Sequence, residues 1–217
     1  MGTGPLLLGH RGGRAEKRIP ENTFASFDRA LAQGCDGFEF DVRLAADAQA
    51  VICHDATVGR LKIAESSAEK LVLPGLREVL ARYQRTAFLD IEMKVPGLEG
   101  IAVDLLRQLV PARGFVVSSF LPKVLQTIHG LDASIPLGLI FETRAGLSLW
   151  PRLPVMYVIP HYKLLSKSLI DQIRAADKKM LVWTVNLSAD MKRFSKWGVD
   201  GIISDHPKRL VRALGRP

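Results

Sequence analysis

The chain has 217 residues, 47% hydrophobic and 24% charged, which fits one globular unit with a sizeable core and excludes a disordered tail. No apolar run nears the roughly 20 residues a bilayer-crossing helix needs, and MGTGPLLLGHRGG has no basic segment ahead of its leucines to mark a secretory signal. The formal charge of +8 gathers in residues 161–217, which carry twelve basic and five acidic side chains.

No recognition helix, zinc-finger spacing or aromatic nucleic-acid module accompanies that excess, so nucleic acid is not an expected partner. It reads as a solvated face or as a candidate for peripheral membrane contact. The expected location is cytoplasmic. Cys35 and Cys53 are too few for a disulfide framework and, with apolar neighbours, read as buried free thiols.

In chain order, LLLG is a short apolar strand. PENTFASFDRALAQG follows with Phe24, Phe27, Ala30 and Leu31 at helical spacing, Asn22 or Thr23 as the cap and Gly34 as the stop. GFEFDVRL alternates as a strand, AVICHD is a further short apolar segment, and LPGLREVLARYQR is a helix. The alternation continues through AFLDIEMKV, LEGIAVDLLRQLV, GFVVSSF, LPKVLQTIHGL and IPLGLIF. A poorly formed helical segment near SLWPRL comes next, then LPVMYVIP, SKSLIDQIRAAD, KKMLVWTVN, SADMKRFSKWG, VDGIISD and PKRLVRALG.

Eight principal strands begin near residues 6, 38, 88, 115, 136, 155, 180 and 201. Eight β/α units predict a compact α/β fold, a (β/α)8 TIM barrel spanning 1–217 as a single domain without a large insertion. A doubly wound open sheet fits the same alternation. Polar residues recurring after successive strands favour a barrel mouth.

Glu39 and Asp41 in FEFDV are two residues apart, so both project from one strand face. LDIEMK repeats the device with Asp90, Glu92 and Lys94, of which Asp90 is expected deeper. Carboxylates this close repel unless a proton or cation lies between them. Glu39, Asp41 and Glu92 make an all-oxygen set suited to one hard divalent cation, Mg²⁺ or Ca²⁺. A salt-bridge network through Lys94 is the standing alternative.

His10 and His54 follow apolar segments and could exchange protons near neutral pH; the plainer readings are rim packing for His10 and a turn for His54. Arg11 and Lys94 could bind phosphate oxygens, one as a planar fork and one as a compact charge. Glu21 is read as organising the site, and Gly12–Gly13 as a tight turn. Trp183 and Asn186 in WTVN are read as a substrate wall, and Asp205 and His206 at least equally as loop-closing residues.

Taken together, HRGG, PENTFASFDRALAQG, GFEFDVRLAADAQAVICHDATVGR, LPGLREVL, DIEMK, SSF, WTVN and DGIISDHP resemble the glycerophosphodiester phosphodiesterase family over essentially the whole chain. The resemblance implies hydrolysis of a small-molecule glycerophosphodiester to glycerol 3-phosphate and an alcohol through a cyclic phosphate. It implies His10 and His54 as the acid/base pair and Glu39, Asp41 and Glu92 as cation ligands. Arg11, Lys94 and Trp183 would line the substrate, with Glu21, Asn22 and Asp55 in support.

Two departures stand out. LAADAQAV lacks the usual threonine–x–aspartate–glycine form, though Asp47 remains, and the segment before LPGLREVL is short. The open mouth this leaves keeps two alternatives in view: lysophospholipase-D-like hydrolysis, and a non-catalytic phosphate- or membrane-binding barrel.

Overall fold

A computed structural model describes residues 4–215. Residues 1–3 and 216–217 of the expected unit, including the start of the N-terminal segment, lie outside the described residues.

Eight parallel strands form the barrel: β1 (Leu6–His10), β2 (Gly37–Leu44), β3 (Phe88–Met93), β4 (Phe115–Ser119), β5 (Leu137–Phe141), β6 (Tyr157–Pro160), β7 (Lys179–Val182) and β8 (Gly201–Ser204). Each pairs with the next, and β1 pairs with both β2 and β8, which closes the sheet. Closure eliminates the doubly wound alternative. AVICHD supplies only a short strand, Ala50–Ile52, antiparallel to the end of β2 and outside the barrel. The segment near SLWPRL is short but ordered, a helix at Ala145–Leu149 running into a 3-10 turn at Trp150–Arg152.

The period of two along each strand sorts side chains between two cores. Facing the helices, Phe38, Phe40 and Val42 of β2 join Phe27, Leu80 and Tyr83 in the larger cluster. Phe27 stacks on Phe38 at 4.2 Å, and Tyr83 meets Phe38 edge-on at 4.9 Å. Burying each such ring removes about 2–3 kcal/mol of apolar exposure. Inside the barrel, Leu8, Phe88, Val116, Ile140, Tyr157, Ile159, Leu181 and Ile203 form a smaller cluster. They come from every barrel strand except β2, whose inward positions are Gly37, Glu39 and Asp41. The barrel interior is therefore apolar on one side and acidic on the other.

Helix Phe24–Ala32 fixes the first loop. Thr23, not Asn22, is the cap: its hydroxyl accepts from the Ser26 N–H in a capping box. The chain leaves at Gly34, where φ is +95°. No helix among the described residues is long and apolar enough to cross a membrane. Cys35 is buried and Cys53 half-buried, and no disulfide joins them.

Candidate active site

Register places the acids. Glu39 pairs with His10 on one side and Asp90 on the other, and Asp41 pairs with Glu92 one pleat higher. All five sit at the carboxyl ends of β1, β2 and β3, the end where such barrels carry function. Glu39, Asp41 and Glu92 each offer an oxygen within 4.8 Å of the others, about twice a Ca²⁺–oxygen distance. Asp90 lies deeper, fully buried, accepting from the Ser118 hydroxyl.

The salt-bridge alternative accounts for part of this cluster. Lys94 Nζ lies 2.6 Å from Glu92 Oε1 and 3.2 Å from Asp41 Oδ1, and Arg11 Nε lies 3.3 Å from Asp41 Oδ2. Buried Glu39 Oε1 and Asp90 Oδ2 still have no hydrogen-bond partner among the described residues. Two cations thus face four buried acids, and the unpaired oxygens fit a divalent ion.

Proton affinities reflect the same imbalance. Burial, reinforced by Asp41, Glu92 and Asp90, holds the Glu39 carboxyl well above the usual carboxylate range. Burial with the nearby Asp41 pushes Glu92 up to about 7 against the pull of Lys94. Burial likewise lifts Asp90 to about 7 despite its Ser118 hydrogen bond. Asp41 goes the other way: burial would raise it, but Lys94, Arg11 and the Asn22 hydrogen bond hold it below the ordinary value.

The HRGG turn carries the other groups. Gly12 has φ +84°, and a Cβ there would sit 2.5 Å from Ser26 Oγ, so only glycine fits this close approach. The turn lets the Arg11 N–H donate to Glu39 Oε2 at 2.9 Å. Arg11 and Asn22 both occupy the left-handed region, at φ 50° and 57°. Both side chains also reach Asp41, Asn22 by donating at 2.8 Å, so local backbone strain is kept where it places polar groups. Glu21 accepts from Arg11 at 2.6 Å.

Each histidine has one ring nitrogen pinned by an aspartate. His10 Nδ1 lies 2.6 Å from Asp205 Oδ1, and His54 Nδ1 lies 2.7 Å from Asp55 Oδ1. Burial opposes the charge on Asp205, but the His10 contact and the Asn186 hydrogen bond outweigh it and keep the carboxyl below its ordinary value. An ionised Asp205 can only accept, so His10 Nδ1 carries the proton and Nε2 is left free, 3.8 Å from Glu39 Oε2. Burial pushes the His54 imidazole below its ordinary value, against the pull of Asp55.

His10, Arg11, Glu39, His54, Asp90, Glu92, Lys94 and Trp183 share one cavity of about 300 Å³. Its far wall adds Phe120, Ile140, Glu142, Ile159 and Ile203. Asp41, Glu21, Asn22 and Asp55 stand behind it, each touching one of the lining groups. Trp183 is held by a hydrogen bond from its indole N–H to the Ile159 carbonyl. Asn186 is not on the wall as expected; it donates to Asp205 at 2.7 Å and accepts from the Asp205 N–H. Asp205, read from sequence as at least equally a loop closer, is the residue that holds His10. The only local signal for it was its place directly after the last strand.

An acidic cluster able to hold a divalent cation and two histidines thus lie together at the mouth of a closed α/β barrel, an arrangement suited to phosphodiester hydrolysis. The Glycerophosphoryl diester phosphodiesterase family profile matches residues 10–103 and 101–209. The chain belongs to that family. A glycerophosphodiester phosphodiesterase of Caldanaerobacter subterraneus subsp. tengcongensis is 30% identical over 96% of this chain and 97% of its own. An Oleispira antarctica phosphodiesterase, solved in complex with the product sn-glycerol-3-phosphate, superposes with a TM-score of 0.85 at 26% identity, covering 97% of each chain. A Parabacteroides distasonis glycerophosphodiester phosphodiesterase shares the fold with a TM-score of 0.86 at 22% identity, again over 97% of each chain.

Proposed function

We propose that the chain is a cation-dependent phosphodiesterase, a single barrel unit that hydrolyses glycerophosphodiesters to glycerol 3-phosphate and an alcohol. The observation that carries this reading is one cavity in which unneutralised buried carboxylates meet two histidines, each pinned at Nδ1. Family membership and the product-bound relative support the same substrate class.

Glu39, Asp41 and Glu92 would hold the ion, and their all-oxygen chemistry suits Mg²⁺ or Ca²⁺. When bound, the ion polarises a phosphoryl oxygen and offsets its charge. Arg11 and Lys94 add fixed positive charge to the phosphate, and Trp183 walls the substrate. One histidine takes the proton of the neighbouring glycerol hydroxyl, whose oxygen attacks phosphorus. The other gives its proton to the departing alcohol oxygen. Water then opens the resulting cyclic phosphate with the two roles exchanged. Glu21, Asn22 and Asp55 support Arg11, Asp41 and His54 in that order. The positive charge of the last quarter would favour peripheral contact with an anionic membrane surface.

The apolar far wall of Phe120, Ile140, Ile159 and Trp183 favours a second substrate class, lysophospholipids. A product assay with glycerophosphocholine, glycerophosphoethanolamine and a lysophospholipid, each with Mg²⁺, Ca²⁺ or chelator, separates the readings. Glycerol 3-phosphate released with either ion and lost with chelator is expected. No cleavage of any of the three at saturating ion would leave only the non-catalytic barrel.

A further inference from the structure

A second cleft, of about 530 Å³, lies on the other side of the HRGG turn. Arg11 faces the catalytic cavity, whereas Gly12 and Gly13 line this cleft with parts of helices Phe24–Ala32 and Pro207–Ala213 and the start of helix Ser188–Trp197. Five basic side chains reach it: Arg29, Lys192, Lys208, Arg209 and Arg212. Its carboxylates are Glu16 and Asp205, and both are engaged. Glu16 pairs with Arg29 at 2.9 Å, and Asp205 holds His10 and Asn186. Arg209 donates to the Asn186 carbonyl.

Lys192, Lys208 and Arg212 are left with no ion pair or side-chain hydrogen bond among the described residues. Other surface cations lack a partner too, but these three converge on one concavity lined by two packed helices. Lys208 and Arg212 stand four apart on one helix and so share a face, and Lys192 comes from the neighbouring helix.

We propose that this cleft is an anion site separate from the catalytic cavity, and that its ligand is a phosphate ester, free or as the headgroup of an anionic phospholipid. Three unpaired cations in one concavity match a dianion better than a single carboxylate. The Arg212 fork fits two phosphate oxygens while the lysines act as point charges. Four of the twelve basic residues of the last quarter, Lys192, Lys208, Arg209 and Arg212, reach this cleft, where salt screens them less than on a convex surface. None of the three residues touches the groups assigned to catalysis.

The test uses the whole chain and its Lys192→Ala/Lys208→Ala/Arg212→Ala variant, with Lys208→Gln as a milder companion. Inorganic phosphate is titrated while amide NMR signals are followed, and pelleting with phosphatidylglycerol vesicles is compared with phosphatidylcholine vesicles. Saturable shifts at Gly13, Ser188 and Lys208 are expected, distinct from any at the Trp183 indole. Binding should weaken at least about tenfold in the triple variant, with melting and glycerophosphodiester hydrolysis unchanged. Phosphate binding without vesicle pelleting identifies a free ester as the ligand; pelleting lost in the triple variant identifies the lipid headgroup. If neither phosphate nor anionic vesicles binds the triple variant more weakly than the parent, the proposal is overturned.

Discussion

Asp90→Asn isolates the electrostatic cost of the acidic side of the barrel. Asp90 is fully buried, one oxygen accepts from Ser118 and the other has no partner. Burial raises it to about 7, against an ordinary value of about 3.9. A carboxyl raised on folding leaves stability intact below about pH 4 and removes it progressively as pH climbs through about 7. At about 1.4 kcal/mol per pH unit, the loss reaches roughly 1–2 kcal/mol by pH 5 and about 4 kcal/mol by pH 8. Asparagine cannot ionise, so its stability relative to the parent should grow by roughly 2–3 kcal/mol between those two pH values.

The slope is the diagnostic, since an unpartnered amide in place of the unpartnered oxygen costs about 1–3 kcal/mol at every pH. For a domain of this size each kcal/mol moves the melting temperature by about 2–4 °C. Thermal melts of both proteins in chelator, from pH 5 to pH 8, should therefore diverge by roughly 4–12 °C. His54, Glu39 and Glu92 titrate in both proteins, so the difference carries Asp90 itself and the part of the Glu39 rise that Asp90 supplies. A flat difference curve, or one that falls with pH, would refute the assignment of Asp90 as a buried, strained acid.

Other substitutions probe the remaining links. His10→Ala and His54→Ala should each lower kcat by about 10²–10⁴ with little change in melting, and near-parental turnover in either would remove that residue from the chemistry. Asp205→Asn should lower kcat about a hundredfold while KM stays close to the parent, because the amide can present a donor to His10 Nδ1 and misplace its proton. A change confined to KM would count against a positioning role. Ala48 stands where the family's usual pattern has glycine and is held at φ 58°. Ala48→Gly should therefore stabilise the fold by roughly 0.5–1 kcal/mol, read as an upward shift in denaturant midpoint, and a downward shift would contradict the strain.

Much of the site could be read from local periodicity. In GFEFDVRL and FLDIEM the acids occupy alternate positions, so their sharing of a face follows from strand geometry alone. The helices follow from apolar spacing, and Pro207 at the start of the last helix is legible for the same local reason. The PENT segment leaves the cap open between Asn22 and Thr23, because cap and loop residues of the same type compete at adjacent positions. Thr23 took the cap, and Asn22 was freed to bind Asp41.

Sequence by itself therefore determined the eight-strand order, the pairing of acids on a common face and the histidines that end apolar runs. Only the tertiary structure decided that this face is the barrel interior, that Lys94 neutralises two acids while one oxygen of Glu39 has no partner among the described residues, and that Asp205 holds His10 from 195 residues away. Side-chain direction along a strand depends on a few neighbouring dihedrals, whereas the partner across the barrel depends on closure and register of the whole sheet.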